Sequence, residues 1–414
     1  MATTQHVIIG NGIAGISAAE VLRAGDPDSA ITIIGDESET PYCRPMISLV
    51  LEGALGPERL PIRGTDYYQQ FGITPVLGRR VTAVDTSRRE VHINGARPVI
   101  YDKLLIASGA DPRPVKAEGR DLDNIFYLRH QAHVRGMLAV MPDARKALVL
   151  GGGLVGFKAA YGLLRRGIQV TMLIRSGYPL SMQADAEAGR MVLTELRAHG
   201  LEVRVGAEVT AFEGGPAVRA AVLSDGSRLA CDLVVIGKGV LPSLAFVRRD
   251  QIAVDLGIVV DRHMRTTAPD VYAAGDVAEG MDLARGTRWV NAIWPEAVAQ
   301  GRLAGTNMAG REVAGEGSLG RNVIRIFGLD IMTGGIVDPP ADDDGFTVVS
   351  ALDPRRRTYR KLVFQKNRLV GMVMVNAIEQ GGVLLGLIQS RMPVRLPAET
   401  LLANGFNYKQ LLME

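Results

Sequence analysis

Short apolar runs broken by glycine-rich turns set the pattern of this chain. Val7-Ile8-Ile9 and Ala147-Leu148-Val149-Leu150 each end at glycines, and helix-like spacing of apolar positions follows each. A second apolar run comes next in both places, Ala30-Ile31-Thr32-Ile33-Ile34 and Gln169-Val170-Thr171-Met172-Leu173-Ile174. Such runs between turn signals predict buried strands, and their alternation with helical stretches predicts parallel α/β units. From about Arg321 the pattern changes to strands and turns. Strands are predicted over 322–327, 346–349, 361–364 and 369–375, with turn residues at Pro339-Pro340, Asp342-Asp343-Asp344-Gly345 and Lys366-Asn367. A helix is predicted over roughly Glu379–Ser390.

The glycines after the two strands form the same figure twice. Gly10-Asn11-Gly12-Ile13-Ala14-Gly15 and Gly151-Gly152-Gly153-Leu154-Val155-Gly156 begin 141 residues apart. Gly10 allows a tight turn, Gly12 lets the backbone approach phosphate, and Gly15 lets helix and strand pack closely. Gly151, Gly153 and Gly156 repeat these roles. Each unit is the strand, turn and helix that sets a pyrophosphate on a helix N-terminus. Two such units on one chain imply two dinucleotides, the usual arrangement for electron transfer between a flavin and a nicotinamide. The fold expected is α/β, with two Rossmann-like dinucleotide-binding domains and a C-terminal α+β domain. After the second strand of the first unit stand Asp36, 21 residues beyond Gly15, and Glu37. Either acid can accept hydrogen bonds from ribose hydroxyls.

Composition narrows the function classes. The formal net charge is +3 over 414 residues, which argues against a nucleic-acid footprint. No apolar run reaches the length of a spanning helix, so no membrane partner is expected. The N-terminal residues Met1 to His6 show no basic stretch followed by an apolar one, so no leader is read and a cytoplasmic location is expected. The two cysteines, Cys43 and Cys231, form no paired motif, and the six histidines form no metal pattern. His130 and His133 are read as surface residues sharing a helix face.

Further segments carry a family resemblance. Tyr101-Asp102-Lys103-Leu104-Leu105-Ile106-Ala107-Ser108-Gly109-Ala110 and Thr267-Ala268-Pro269-Asp270-Val271-Tyr272-Ala273-Ala274-Gly275-Asp276 resemble two segments of the FAD-dependent pyridine nucleotide-disulfide oxidoreductases. The similarity is to the branch of rubredoxin and ferredoxin reductases and the flavin part of nitrite reductase. It implies that Ala107, Ser108 and Gly109 return the chain to the FAD domain and that Asp276, after Gly275, binds the ribityl chain. Pro41-Tyr42-Cys43-Arg44-Pro45-Met46-Ile47-Ser48 resembles the Arg-Pro segment beside the flavin, which implies FAD contacts for Arg44 and Pro45. Trp294-Pro295-Glu296-Ala297-Val298-Ala299-Gln300-Gly301 resembles the segment whose helix start faces the flavin pyrimidine, and a helix dipole there favours negative charge on the ring. The segment 231–242, with Gly239, resembles the one that closes the nicotinamide domain. Cys231 is read as packing.

The second unit points to NADPH over NADH. Where NADH-binding relatives end the second strand in a carboxylate, this chain has Ile174 followed by Arg175, which can pair with a 2′-phosphate. The second arginine of NADPH-using relatives is replaced by Ser181. The expected division is a FAD-binding domain over 1–115 and 245–320, a NAD(P)H-binding domain over 116–244, and a dimerisation or acceptor-interface domain over 321–414.

Two positions depart from the family. The paired redox cysteines and the C-terminal His-Pro segment are lacking, which excludes disulfide reduction by that route. Cys43 stands alone near the expected flavin, and leaves open a peroxide, oxygen or coenzyme A disulfide reductase. Lys158 replaces the usual glutamate, and its expected role is a cation near flavin N5. The activity expected is an NAD(P)H oxidoreductase passing electrons through FAD to a small acidic carrier, rubredoxin or ferredoxin, or to a reductase subunit. A low-turnover redox sensor or assembly partner is the further alternative. The basic run Arg355-Arg356-Arg357 with Arg360 and Lys361 is a solvated hairpin in its commoner meaning, and in the alternative a face that steers such a carrier. The stretch from Leu401-Leu402 to Leu411-Leu412 is read as packing in a homodimer.

Overall fold

The computed structural model describes residues 3–340, 343, 345–403, 406 and 409. The chain forms two units. One comprises 1–45, 58–111 and 241–320; the other comprises 46–57, 112–240 and 321–414.

The core of the first unit is a five-stranded parallel sheet. Its order is Val271–Ala273, Lys103–Ile106, Gln5–Ile9, Ala30–Ile34 and Ile73–Val76. The strands are short apolar runs because helices and loops bury both faces. Ile8, Ile33, Leu104, Leu105 and Ala273 are fully buried in one cluster. Helix Ile13–Gly25 follows the central strand and packs on helix Trp294–Met308 through small residues. A Cβ on Gly301 would lie 2.2 Å from Ala14 O, and one on Gly305 would lie 2.5 Å from Ala18 O, so only glycine permits this approach. His6, on the central strand, is fully buried; its Nε2 lies 3.3 Å from an Asp26 oxygen, and its Nδ1 meets no hydrogen-bond partner among the described residues.

The second unit repeats the sheet plan. Its order is Glu202–Val205, Gln169–Ile174, Lys146–Leu150, Leu233–Ile236 and Ile125–Tyr127, all parallel. Helix Leu154–Arg165 follows the central strand. A second, five-stranded antiparallel sheet belongs to the same unit, in the order Arg321–Ile326, Leu329–Gly335, Arg368–Val375, Thr358–Gln365 and Phe346–Asp353. Helix Gly381–Ser390 packs on it. The α/β class with a C-terminal α+β region is as the sequence pattern predicts. Strand Leu329–Gly335 was not foreseen. It completes a tight hairpin at Phe327-Gly328, where Phe327 takes φ +49.

That hairpin is fastened to helix Ala186–Ala198. Glu195 on the helix is buried; it accepts from Gly328 N at 2.8 Å and from Arg357 Nη2, and the His199 ring stacks on Phe327 at 4.0 Å. His130 and His133 do not share an exposed helix face. His130 is the N-cap of helix Gln131–Val140 and His133 its third residue; both are half-buried and form a reciprocal capping box. Leu411 and Leu412 lie outside the described residues, as do Asp342 and Asp344.

Candidate functional site

In the first unit the central strand stops at Gly10, which takes φ +118 and donates to Ile34 O at 2.8 Å. A Cβ there would lie 2.1 Å from Ala107 O, so the turn demands glycine. Gly15 answers the same need one turn into the helix, where a Cβ would fall 2.0 Å from Gly10 O. Gly12 differs: as N-cap of helix Ile13–Gly25 it is extended, offers no side-chain cap, and its added Cβ would meet nothing within 4 Å. The first backbone N–H groups of the helix, at Ile13 and Ala14, thus adjoin open space. This backbone cradle fits a pyrophosphate.

Other elements converge on this cradle. Ala107 N donates to Ile9 O at 2.7 Å, and Ser108 Oγ donates to Ser243 O at 3.0 Å just before Gly109. Gly275, at φ +80, donates to Gln300 Oε1 at 2.9 Å. A Cβ on Gly275 would lie 3.1 Å from the Ala14 Cβ and 3.6 Å from that of Ala297. Asp276, half-buried, therefore leaves the sheet between the first turns of two helices. The second of these, Trp294–Met308, starts at Ile293 without a side-chain cap. Trp294 is half-buried there.

At the end of strand Ala30–Ile34, Asp36 is exposed. Glu37 is half-buried and held: Tyr42 Oη donates to one carboxylate oxygen and Arg44 Nη2 to the other, each at 2.7 Å. Burial alone would lower the Arg44 pKa, but Tyr42, Glu37 and Asp36 raise it above the ordinary arginine value. Arg44 thus places its charge against Glu37. Pro45 follows it in the same short turn of helix. Cys43 is half-buried, and its backbone N–H donates to Leu60 O at 2.9 Å.

The second unit builds the same cradle. Gly151 takes φ +113 and donates to Leu173 O at 2.8 Å, and its Cβ would lie 2.4 Å from Gly237 O. A Cβ on Gly156 would lie 2.0 Å from Gly151 O, while one on Gly153 would meet nothing within 4 Å. Helix Leu154–Arg165 has Gly153 as an extended, uncapped N-cap, so the N–H groups of Leu154 and Val155 adjoin open space as in the first unit. Gly239, in the turn after strand Leu233–Ile236, takes φ +86 and is equally open on its Cβ side. Arg175 is exposed directly after strand Gln169–Ile174. Lys158, the fifth residue of helix Leu154–Arg165, is half-buried.

One further reading changes with the structure, and that of Cys231 does not. The basic run does not form one open face. Arg360 and Lys361 are buried: Arg360 Nε donates to Ala377 O at 3.1 Å, and Lys361 Nζ lies 3.1 Å from an Asp185 oxygen. Arg355, Arg356 and Arg357 are exposed, and Arg357 pairs with Glu195. Position explains the difference: Arg355 to Arg357 stand in the turn between strands Phe346–Asp353 and Thr358–Gln365, whereas Arg360 and Lys361 lie within the second strand, which is buried on both faces. Cys231 is buried beside strand Leu233–Ile236, and burial, with the adjacent Asp232 charge, pushes its thiol up to about 12. It is inert packing. The sequence reading missed Tyr42, Gln300, Ser243, Glu208 and Lys238. A Tyr five residues after Glu37 is a local signal; the others are set by long-range contacts.

The pyridine nucleotide-disulphide oxidoreductase family matches residues 4–301, and the C-terminal domain of rubredoxin NAD+ reductase matches residues 321–392. The chain belongs to the pyridine nucleotide-disulphide oxidoreductase family. Members of this family use FAD and NAD(P)H. The nitrite reductase (NAD(P)H) of Bacillus subtilis (strain 168) is 29% identical over 94% of this chain, which spans 48% of that relative's length. The NADH-dependent phenylglyoxylate dehydrogenase subunit epsilon of Aromatoleum evansii is 30% identical over 94% of this chain and 92% of its own length. Among solved structures, the covalent putidaredoxin reductase–putidaredoxin complex matches with a TM-score of 0.89 at 25% identity, covering 100% of this chain and 99% of the other. Among the described residues no helix is long and apolar enough to cross a membrane, and no group of His, Cys, Asp or Glu is set to hold a metal.

Proposed function

We propose that this protein takes reducing equivalents from NAD(P)H, passes them through FAD, and hands electrons to a small acidic redox protein of rubredoxin or ferredoxin type or to a reductase subunit. The observation that carries this reading is the duplicate cradle, one per unit, on a chain whose last domain matches that of rubredoxin NAD+ reductase. When bound, flavin supplies the chemistry, accepting a hydride and releasing electrons.

The chain's own residues bind and orient. Gly12, Ile13 and Ala14 offer backbone to the FAD pyrophosphate, with Asp36 or Glu37 at the ribose and Asp276 at the ribityl chain. The uncapped helix start at Trp294 and Ala297 directs positive dipole toward the ring. Arg44 holds Glu37 in place and keeps its charge through the physiological range. In the second unit Gly153, Leu154 and Val155 take the nicotinamide nucleotide's pyrophosphate. Arg175 pairs with the 2′-phosphate, which makes NADPH the preferred donor. Lys158 supplies a cation that favours reduced flavin. A homodimer is part of this reading, checked by light scattering.

Anaerobic stopped-flow reduction of the purified flavoprotein, followed at the visible flavin band with NADH and NADPH separately, tests it. Rapid bleaching is expected with both, and faster at low concentration with NADPH. No bleaching by either would sink the reading.

A further inference from the structure

The second cradle carries a charge arrangement that Arg175 alone does not explain. The loop after strand Glu202–Val205 returns to the end of strand Gln169–Ile174, where Ala207 N donates to Ile174 O at 3.3 Å. This brings Glu208 within reach of the Arg175 charge. From the turn after strand Leu233–Ile236, Lys238 Nζ donates to Glu208 Oε1 at 2.9 Å. The Lys238 hydrogen bond and charge, joined by Arg175, hold the Glu208 carboxyl below the usual carboxylate range. One carboxylate thus lies among two cations, at the C-terminal ends of the two strands that flank the central one. Ligands of open α/β sheets bind at such ends. Gly239, next to Lys238, is open on its Cβ side.

As a surface ion pair this contact is worth little stability, since Glu208 keeps 44% of its side-chain exposure. Its charge matters more than its bond. A 2′-phosphate brings about two negative charges, and a carboxylate close by opposes them whereas ribose hydroxyls do not feel it.

We propose that Glu208 sets the donor preference of this site: it offsets the positive charge that Arg175 and Lys238 present to a 2′-phosphate, and so keeps the site open to NADH as well as NADPH. The inference rests on reading the second unit as the NAD(P)H site. Glu208 acts by charge balance and touches no reacting atom.

Calorimetric titration with adenosine 2′,5′-bisphosphate and with AMP separates the two ideas, because neither probe requires turnover. Glu208→Gln is expected to tighten the bisphosphate about fivefold and to change AMP by less than about twofold. Arg175→Ala should weaken the bisphosphate by a similar factor, and the double variant should lose most of the Glu208→Gln gain. An unchanged bisphosphate-to-AMP ratio in Glu208→Gln, with both probes still bound and the thermal midpoint unaltered, overturns the proposal and leaves the nucleotide reading standing. Failure of the unsubstituted protein to bind either probe overturns the nucleotide reading itself, and the proposal with it.

Discussion

The two cradles are near copies in backbone and opposites in side chains. Gly10 and Gly151 share a φ near +115, at +118 and +113, and Gly15 and Gly156 each leave 2.0 Å between an added Cβ and the turn carbonyl. Past the second strand the likeness ends. The first unit presents Asp36 and Glu37, whereas in the second the strand ends at buried Ile174 and Arg175 follows. Two residues after the third glycine the first has buried Ser17, the second half-buried Lys158. On the proposed reading, backbone geometry selects dinucleotides as a class, and the strand-end side chains select which one.

The third glycines give the sharpest way to break this parallel. Gly15→Ala and Gly156→Ala each force a methyl into a carbonyl, a strain of about 1–3 kcal/mol or more at the cradle. Gly15→Ala should yield protein that purifies without FAD. Gly156→Ala should keep its FAD yet lose NAD(P)H-driven reduction. Loss of flavin in both, read from visible absorbance, would show that the units do not divide the cofactors as proposed.

A smaller effect separates the units by acid. His6 lies on the first central strand where the second has Ala147. Burial lowers the His6 pKa from 6.5, outweighing the opposing pull of Asp26. The unfolded chain then takes up the proton before the folded one does. Stability is complete above pH 6.5 and falls as pH drops from there toward the lower native value. Thermal melts across this window should lose midpoint in the native protein, and His6→Val should flatten the loss. An unchanged slope in His6→Val would remove the buried imidazole as its cause.

The smallest expected effect concerns Lys158, the charge with no counterpart in the first cradle. Lys158→Met should lower the flavin reduction potential by about 30 mV, equivalent to about 1.4 kcal/mol for two electrons. Spectroelectrochemistry reads this directly. An equal potential would assign Lys158 to its own unit alone.

Much of this architecture was readable along the chain because its signals are local. Strands Ala30–Ile34 and Gln169–Ile174 are mostly apolar runs, broken only by Thr32 in one and by Gln169 and Thr171 in the other, and the glycine spacing announces both turns before any long-range contact forms. What escaped was pairing at a distance. Glu208 meets Lys238 across 30 residues, and Arg357 meets Glu195 across 162, so neither partner shows in the pattern near it. The run from Arg355 to Lys361 misled for the same reason. Charge is visible in sequence, but whether it lands in a turn or in a buried strand, and the acid waiting there, are properties of the fold. His130 and His133 misled more subtly, because spacing of three suits a helix face and a capping box alike.

The fastening of the Phe327-Gly328 hairpin to Glu195 has a consequence for how the second unit opens. A buried carboxylate that serves a backbone N–H and a guanidinium from two different hairpin ends cannot release one without exposing an unmet charge. Helix Ala186–Ala198 and the C-terminal sheet are thereby tied into one cooperative block. Amide protons in both should exchange with solvent together rather than in turn.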